Sequence, residues 1–373
     1  MTRCSGSTSM NFSSVAGQLT ARRILTRTAD RGQLPNSYLF CGPEGVGKWA
    51  TALALAAYLN CSNRSDGDSC GACPSCRQIQ KLQFPNLFIA IPTPPSRSEK
   101  EETENYWDIL NQKIAEPYSL IGGERQMLIP VATVREMRRS LAQMASRTGT
   151  RVVIIEQMDR MLTNSADALL KLVEEPPSQT LIIITTSRPE RLLPTVISRC
   201  RRVRFSPLPE EAIVEYLTTR AAIDPPRAAL LARLSQGSLG RALYLITTET
   251  EQDREVAKLI FKGMFITSPT GLIAEAADVL PFTSRSRINR IIGFWQTLFR
   301  DLVLLTTGEQ TGLLVNSDFA LELEKIAGRD LPHDNLLKIP AYLGSVVADI
   351  DLNVDTRIAV GAVLIDLHRR LRA

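Results

Sequence analysis

The sequence predicts an α/β domain built on a parallel sheet, joined to an all-α region that runs to the end of the chain. Three observations predict it. The first is a glycine-rich turn between an apolar run and an alanine-rich run: Tyr38-Leu39-Phe40-Cys41-Gly42-Pro43-Glu44-Gly45-Val46-Gly47-Lys48-Trp49. The second is a pair of later runs, Arg151-Val152-Val153-Ile154-Ile155-Glu156 and Leu181-Ile182-Ile183-Ile184-Thr185-Thr186, separated by helical sequence. Continuous β-branched runs of this kind suit strands covered on both faces. The third is a change after Pro207-Leu208-Pro209, beyond which strand-like runs stop and apolar clusters fall at helical spacing.

The elements follow in order. Residues 19–31 read as a helix stopped by Gly32, residues 37–41 as a short buried strand, and residues 48–60 as a strong helix. Residues 84–92 read as a strand. Pro92-Thr93-Pro94-Pro95 and the charged run Ser98 to Glu102 then open an insertion, with a helix over 103–115 and a loop over 117–125. A basic helix is expected over 131–146, a strand from Arg151, and a helix over 163–175 that Pro176-Pro177 ends. A strand over 181–186, a helix or turn over 191–197 and a strand over 201–205 complete the α/β part. Helices are expected at 209–222, 225–235 and 239–248, and helical sequence continues from about 250. The aromatic residues there read as core.

Length and composition set limits. A chain of 373 residues has room for two or three domains, and 44% hydrophobic with 22% charged residues is ordinary for a soluble protein. No apolar run approaches the roughly 20 residues needed to cross a bilayer. Residues 1–9 are small and polar, lack the apolar core of a signal peptide and read as disordered, the folded part beginning near Met10. The expected location is the cytoplasm, without a membrane. A net charge of +5 weakly favours an acidic or nucleic-acid partner, but for this length it is equally that of an ordinary surface. Two histidines, His333 and His368, both late in the chain, argue against histidine-centred catalysis.

Cys61, Cys70, Cys73 and Cys76 are clustered, whereas Cys4, Cys41 and Cys200 are scattered. Two overlapping C-x-x-C steps and one upstream cysteine supply four thiolates, enough for a closed tetrahedral zinc site of structural type. Gly71 and Pro74 suit the tight turn between them.

The Gly42–Trp49 loop has the frame of a phosphate-binding P-loop, G-x-x-x-x-G-K-[ST]. The backbone of Gly42, Pro43, Gly45, Val46 and Gly47 would cradle phosphates and Lys48 would meet them. Trp49 stands where a hydroxyl normally holds Mg²⁺. Glu156 and Gln157, at the end of a strand that faces nucleotide in P-loop proteins, stand where a hydrolase carries Asp and Glu. A glutamine can orient water but takes no proton from it at neutral pH. Thr186 ends the neighbouring run and is counted with the nucleotide-facing residues. ATP or ADP binding is therefore expected to be degenerate.

Tyr38-Leu39-Phe40, the loop, the four cysteines, Asn164 through Pro177 and Ser198-Arg199-Cys200, in this order, resemble the subunits of bacterial sliding-clamp loaders, AAA+ proteins of the DNA polymerase III holoenzyme. The resemblance is specific over about residues 12–245 and architectural beyond. It implies an AAA+ domain over 10–206 with a zinc module at 61–76 and an insertion at 93–126, a helical lid over 207–249 and a helical collar over 250–373. It implies gamma/tau and delta subunits as partners in a hetero-pentamer, with the sliding clamp and primer–template DNA met through the complex. Gly240 would stand at the sensor arginine of the motor subunits. With Trp49 and Glu156-Gln157, that makes the chain delta-prime-like, a stator without hydrolysis of its own. Arg199 would then be an arginine finger acting in trans on a neighbour's ATP; a surface salt bridge is its other reading. The alternatives are a hydrolysing gamma/tau-type motor and a different P-loop class such as a nucleotide kinase, which would leave the cysteines and Ser198-Arg199-Cys200 unexplained.

Overall fold

The computed structural model describes residues 10–121, 127–143, 149–161, 163–280, 284–308, 313–351 and 356–372. Residues 1–9, read as disordered, lie outside that set, as do 122–126 of the insertion and 144–148 at the end of the basic helix. The chain divides into two compact units, Met1–Ala222 with Gln236–Leu243, and Ile223–Ser235 with Tyr244–Ala373. The boundary cuts through 207–249, sending 223–235 with the second unit and 236–243 with the first.

The first unit is built on five described strands: β1 (Ser37–Cys41), β2 (Leu87–Ala90), β3 (Arg151–Ile155), β4 (Thr180–Thr186) and β5 (Arg201–Arg204). All pairings are parallel, in the order β2-β3-β4-β1-β5. The apolar runs are buried because each alternate residue meets a different core. Tyr38, Phe40, Val152, Ile154, Leu181 and Ile183 join one cluster, and Leu39, Val153, Ile155, Ile182 and Ile184 the other. The helices of this part are α1 (Leu19–Asp30), α2 (Lys48–Asn60), α3 (Pro74–Gln80), α4 (Glu99–Ala115), α5 (Val131–Gln143), α6 (Thr163–Glu174), α7 (Pro194–Arg199) and α8 (Glu210–Thr219).

Two expected boundaries move. The strand expected over 84–92 contracts to β2, because Phe84-Pro85-Asn86 forms a turn in which Leu87 N donates to Phe84 O at 2.9 Å. Beyond β2, Thr93 leaves the sheet to bridge Leu128. The insertion helix starts at Glu99 rather than 103. Ser98 accepts from Glu101 N at 3.3 Å as its N-cap, and Glu99, Glu101 and Glu102 occupy a first turn where the helix dipole favours acids.

The second unit consists of α9 (Pro225–Ser235), the last residues of α10 (Leu239–Leu245), α11 (Thr248–Ile266), α12 (Pro269–Val279), α13 (Arg285–Thr306), α14 (Ala320–Ala327), α15 (His333–Leu336), α16 (Ile339–Asp351) and α17 (Thr356–Arg370). Its centre is aromatic. Phe261 meets Phe299 edge-on at 4.9 Å, and the buried Trp295 donates through Nε1 to Ala257 O at 3.0 Å. Asp253, also buried, accepts from Arg287 Nε at 2.6 Å and Arg290 Nε at 2.8 Å. Among the described residues no helix is long and apolar enough to cross a membrane.

Candidate functional site

The site forms where β1, β3 and β4 end, three strands adjacent in the sheet. β1 runs out at Cys41, and the loop Gly42–Gly47 turns the chain into α2. Gly47, at the helix N-cap, has φ +100°, a backbone shape that a side chain would strain. The turn is fixed by neighbours: Gly42 N donates to Thr186 O at 3.2 Å, and Gln18 Nε2 donates to Val46 O at 3.1 Å. β3 delivers Glu156 and Gln157, and β4 delivers Thr186; all three are buried.

The two chemically loaded groups of the loop point inward. Lys48, 6% exposed, donates through Nζ to the carbonyls of Gly42 at 2.6 Å and Pro43 at 2.5 Å. Burial holds its pKa below the ordinary lysine value, against the attraction of Glu156, Glu44 and Asp159. Trp49 is buried, and its indole Nε1 has no hydrogen-bond partner among the described residues. The nearest hydroxyl on the helix, that of Thr51, is spent on Gly47 O at 2.8 Å.

Glu156 accepts from Thr185 Oγ1 at 2.7 Å, and the same hydroxyl accepts from Gln157 N at 2.9 Å. Gln157 Oε1 is buried with no hydrogen-bond partner among the described residues. The Thr186 hydroxyl donates to Asp159 at 2.7 Å rather than standing open. Glu44 of the loop pairs with Arg160 at 3.4 Å.

Sequence reasoning missed the residues that press on this loop from elsewhere. Lys113, from α4, is 4% exposed; its ammonium donates to Ser119 O at 2.6 Å, lies 4.0 Å from Glu156 Oε1 and 5.8 Å from the centre of the Trp49 ring. Burial lowers its pKa too, while Glu156, Glu44 and Glu116 oppose the shift. A signal for it existed: Ile109, Leu110 and Lys113 share one helical face, and the first two are core residues. Tyr118 accepts from Ala16 N at 2.7 Å, and its ring lies 3.0 Å from where a Cβ on Gly47 would stand. Ser238 donates to Glu44 O at 2.7 Å, and Gly240 N donates to Gly45 O at 3.0 Å. Gly45 and Gly240 lie so close that a Cβ on either would meet the other at under 3.0 Å. Among the described residues this surrounding does not fit a nucleoside triphosphate with its metal: the lysine is turned onto the loop, the Thr51 and Thr186 hydroxyls are already engaged, and the buried Lys113 ammonium stands 4.0 Å from Glu156.

Arg199 lies elsewhere, at the end of α7 before edge strand β5. Its side chain is 42% exposed, pairs with Glu174 at 3.1 Å and donates to Thr195 O at 3.1 Å. The surface ion pair weighed from the sequence is therefore present.

The four clustered cysteines come together, their sulfurs all within 4.8 Å of one another, a group that could hold a metal ion. Cys61 Sγ accepts from Asn63 N at 3.4 Å and Cys70 N at 3.3 Å, and Cys70 Sγ from Cys73 N at 3.3 Å. Backbone donors of this kind favour thiolate, the form that binds metal, although burial still holds the Cys61 thiol above its ordinary value. Burial opposes ionisation of Cys73, but N–H bonds from Cys76 and Ser62 outweigh it and bring the thiol down to about 6. Spacing and donor chemistry fit a tetrahedral thiophilic ion.

Comparison with known proteins agrees with this architecture. The family model described as DNA polymerase III, delta subunit, matches residues 17–209. The chain is 32% identical over 264 residues to DNA polymerase III subunit delta' of Pseudomonas aeruginosa, covering 69% of this chain and 70% of that one. It is 31% identical over 232 residues to the delta' subunit of Escherichia coli, covering 62% of this chain and 60% of that one. It is also 29% identical over 239 residues to the tau subunit of Escherichia coli, covering 63% of this chain but only 32% of that longer one. With more than half its length inside the family model and a relative matched over two thirds of both chains, this chain belongs to the DNA polymerase III delta-subunit family, and is a clamp-loader subunit.

Proposed function

We propose that the chain is the delta-prime-type stator of its clamp loader: it does not turn over ATP, and it lends Arg199 to the site of a neighbouring motor subunit. The observation that carries this reading is Trp49, which fills the position of the Mg²⁺-binding hydroxyl and is buried beneath Lys113. Glu156-Gln157 and Gly240 support it. Arg199 suits the role because a guanidinium stays charged and bridges the oxygens on which charge builds in phosphoryl transfer. The partners proposed are gamma/tau and delta in a hetero-pentamer, with the sliding clamp and primer–template DNA engaged through it, in the cytoplasm. The cysteine cluster is proposed to hold one structural Zn²⁺.

The frame of the loop and the tau relative favour a second reading, a hydrolysing gamma/tau-type motor. ATPase assays separate the two. The purified chain is expected to show no turnover above background, whereas a complex reconstituted with gamma/tau and delta turns ATP over when primed DNA and clamp are added. Robust DNA-stimulated turnover by the chain alone would establish the motor reading instead.

A further inference from the structure

The segment 93–121 is the large feature of the first unit to which the clamp-loader reading gives no role. Part of it builds local core: Ile109 and Leu110 are buried, and Tyr106 Oη donates to Ile89 O at 3.0 Å. Its end behaves differently. α4 carries Lys113 into the interior, where a cation is costly unless it is matched. The matching groups belong to the P-loop neighbourhood: the Glu156 carboxylate at 4.0 Å, the Trp49 ring at 5.8 Å and, within the segment itself, the Ser119 carbonyl at 2.6 Å. Tyr118 then reaches across to Ala16 and lies against Gly47, while its carbonyl faces Gly240. A working P-loop places a divalent cation beside the strand-end carboxylate and a phosphate against the loop.

We propose that segment 93–121 is an internal substitute for the nucleotide–metal complex: Lys113 supplies the positive charge beside Glu156, and Tyr118 supplies the packing against Gly47. The loop is thereby held in one shape by the chain itself. The inference deepens the stator reading, on which it rests only in taking this P-loop as idle. A subunit built this way presents the same surface whether or not its neighbours carry ATP. Its second consequence concerns charge. Removing the ammonium leaves the buried Glu156 carboxylate with only Lys48, whose ammonium is turned onto the Gly42 and Pro43 carbonyls, as counter-charge, and an external divalent cation then has a reason to bind that it lacks in the wild type.

The test compares wild type, Lys113→Met and Lys113→Met/Glu156→Gln, each as the full chain, by thermal melting with and without millimolar Mg²⁺ and by titration with ADP plus Mg²⁺. Wild type is expected to show no saturable ADP binding and no response to Mg²⁺. Lys113→Met is expected to melt on the order of 10 °C lower and to recover part of that loss in Mg²⁺. The double variant, in which both members of the Lys113–Glu156 pair are neutral, is expected to recover most of it without Mg²⁺. If Lys113→Met proves too unstable to purify, the double variant must still fold. The proposal is overturned by a double variant no more stable than the single one, by a single variant that melts like wild type, or by Mg²⁺ acting equally on all three. Micromolar ADP binding by wild type also overturns it; found without ATP turnover, that result would leave the stator reading standing.

Discussion

Gly240 stands where a clamp-loader motor is expected to carry an arginine. The sequence presents this as a lost functional group. The structure adds that a side chain there has no room: a Cβ would lie 2.4 Å from Tyr118 O and 2.8 Å from Gly45 Cα, both backbone atoms. Neither can yield as a flexible side chain would, so Gly240→Ala is expected to cost about 1–3 kcal/mol, read as a lower denaturation midpoint at unchanged slope. Restoring arginine at 240 is expected to destabilise more, not to restore ATP hydrolysis. Arg199 tests differently, being exposed and held by Glu174. An exposed pair of this kind is worth about 0–1 kcal/mol, so Arg199→Ala is expected to melt within a few degrees of wild type and to assemble. If Arg199 is the finger, the reconstituted complex loses ATPase at the site it serves; unchanged DNA-stimulated turnover would rule that role out.

At the scale of elements, the cysteine cluster does more than close a loop. It runs from the end of α2 into α3, and the same stretch carries Asp68, which accepts from the backbone of Phe12 and Ser13 at 2.8 Å each. Metal loss is therefore expected to release the start of the folded chain as well. Cys76→Ser, or chelation, is expected to lower both the zinc stoichiometry, from one per chain, and resistance to proteolysis near residues 12–22; a metal assay finding no zinc in fresh protein would remove the module. In the second unit, a short turn around Asp318 is pinned by Arg254 at 2.6 Å and Lys258 at 2.8 Å. Burial alone would raise this carboxyl, but the hydrogen bonds and charges of Arg254 and Lys258 bring it down to about 2. A carboxylate lowered on folding stabilises above its unfolded pKa of about 3.9, and that contribution fades as pH falls from there towards about 2. Asp318→Asn is thus expected to lower the melting temperature at neutral pH, with the gap to wild type closing between pH 4 and pH 2.

Across the whole molecule, the sequence by itself determined the sheet, its parallel sense, the P-loop turn, the cysteine cluster and the identities of Trp49, Glu156, Gln157 and Gly240 at their motif positions. These are carried by neighbours in the chain: β-branched runs, a glycine spacing, a C-x-x-C step and single residues at motif positions. Boundaries were less legible where a local cap or turn competed with the pattern, as at Ser98 and Phe84-Pro85-Asn86. What only the tertiary structure decided is what stands around Gly42–Trp49. Lys113 meets Glu156, Tyr118 meets Gly47, and Gly240 meets Gly45, each pair drawn from segments far apart in the chain. Helical spacing puts Lys113 on the face of Ile109 and Leu110, but no periodicity records which distant groups that face meets. The physical reason is that short-range patterning sets which elements form, whereas the cost of a buried charge is settled only by the groups that packing brings beside it.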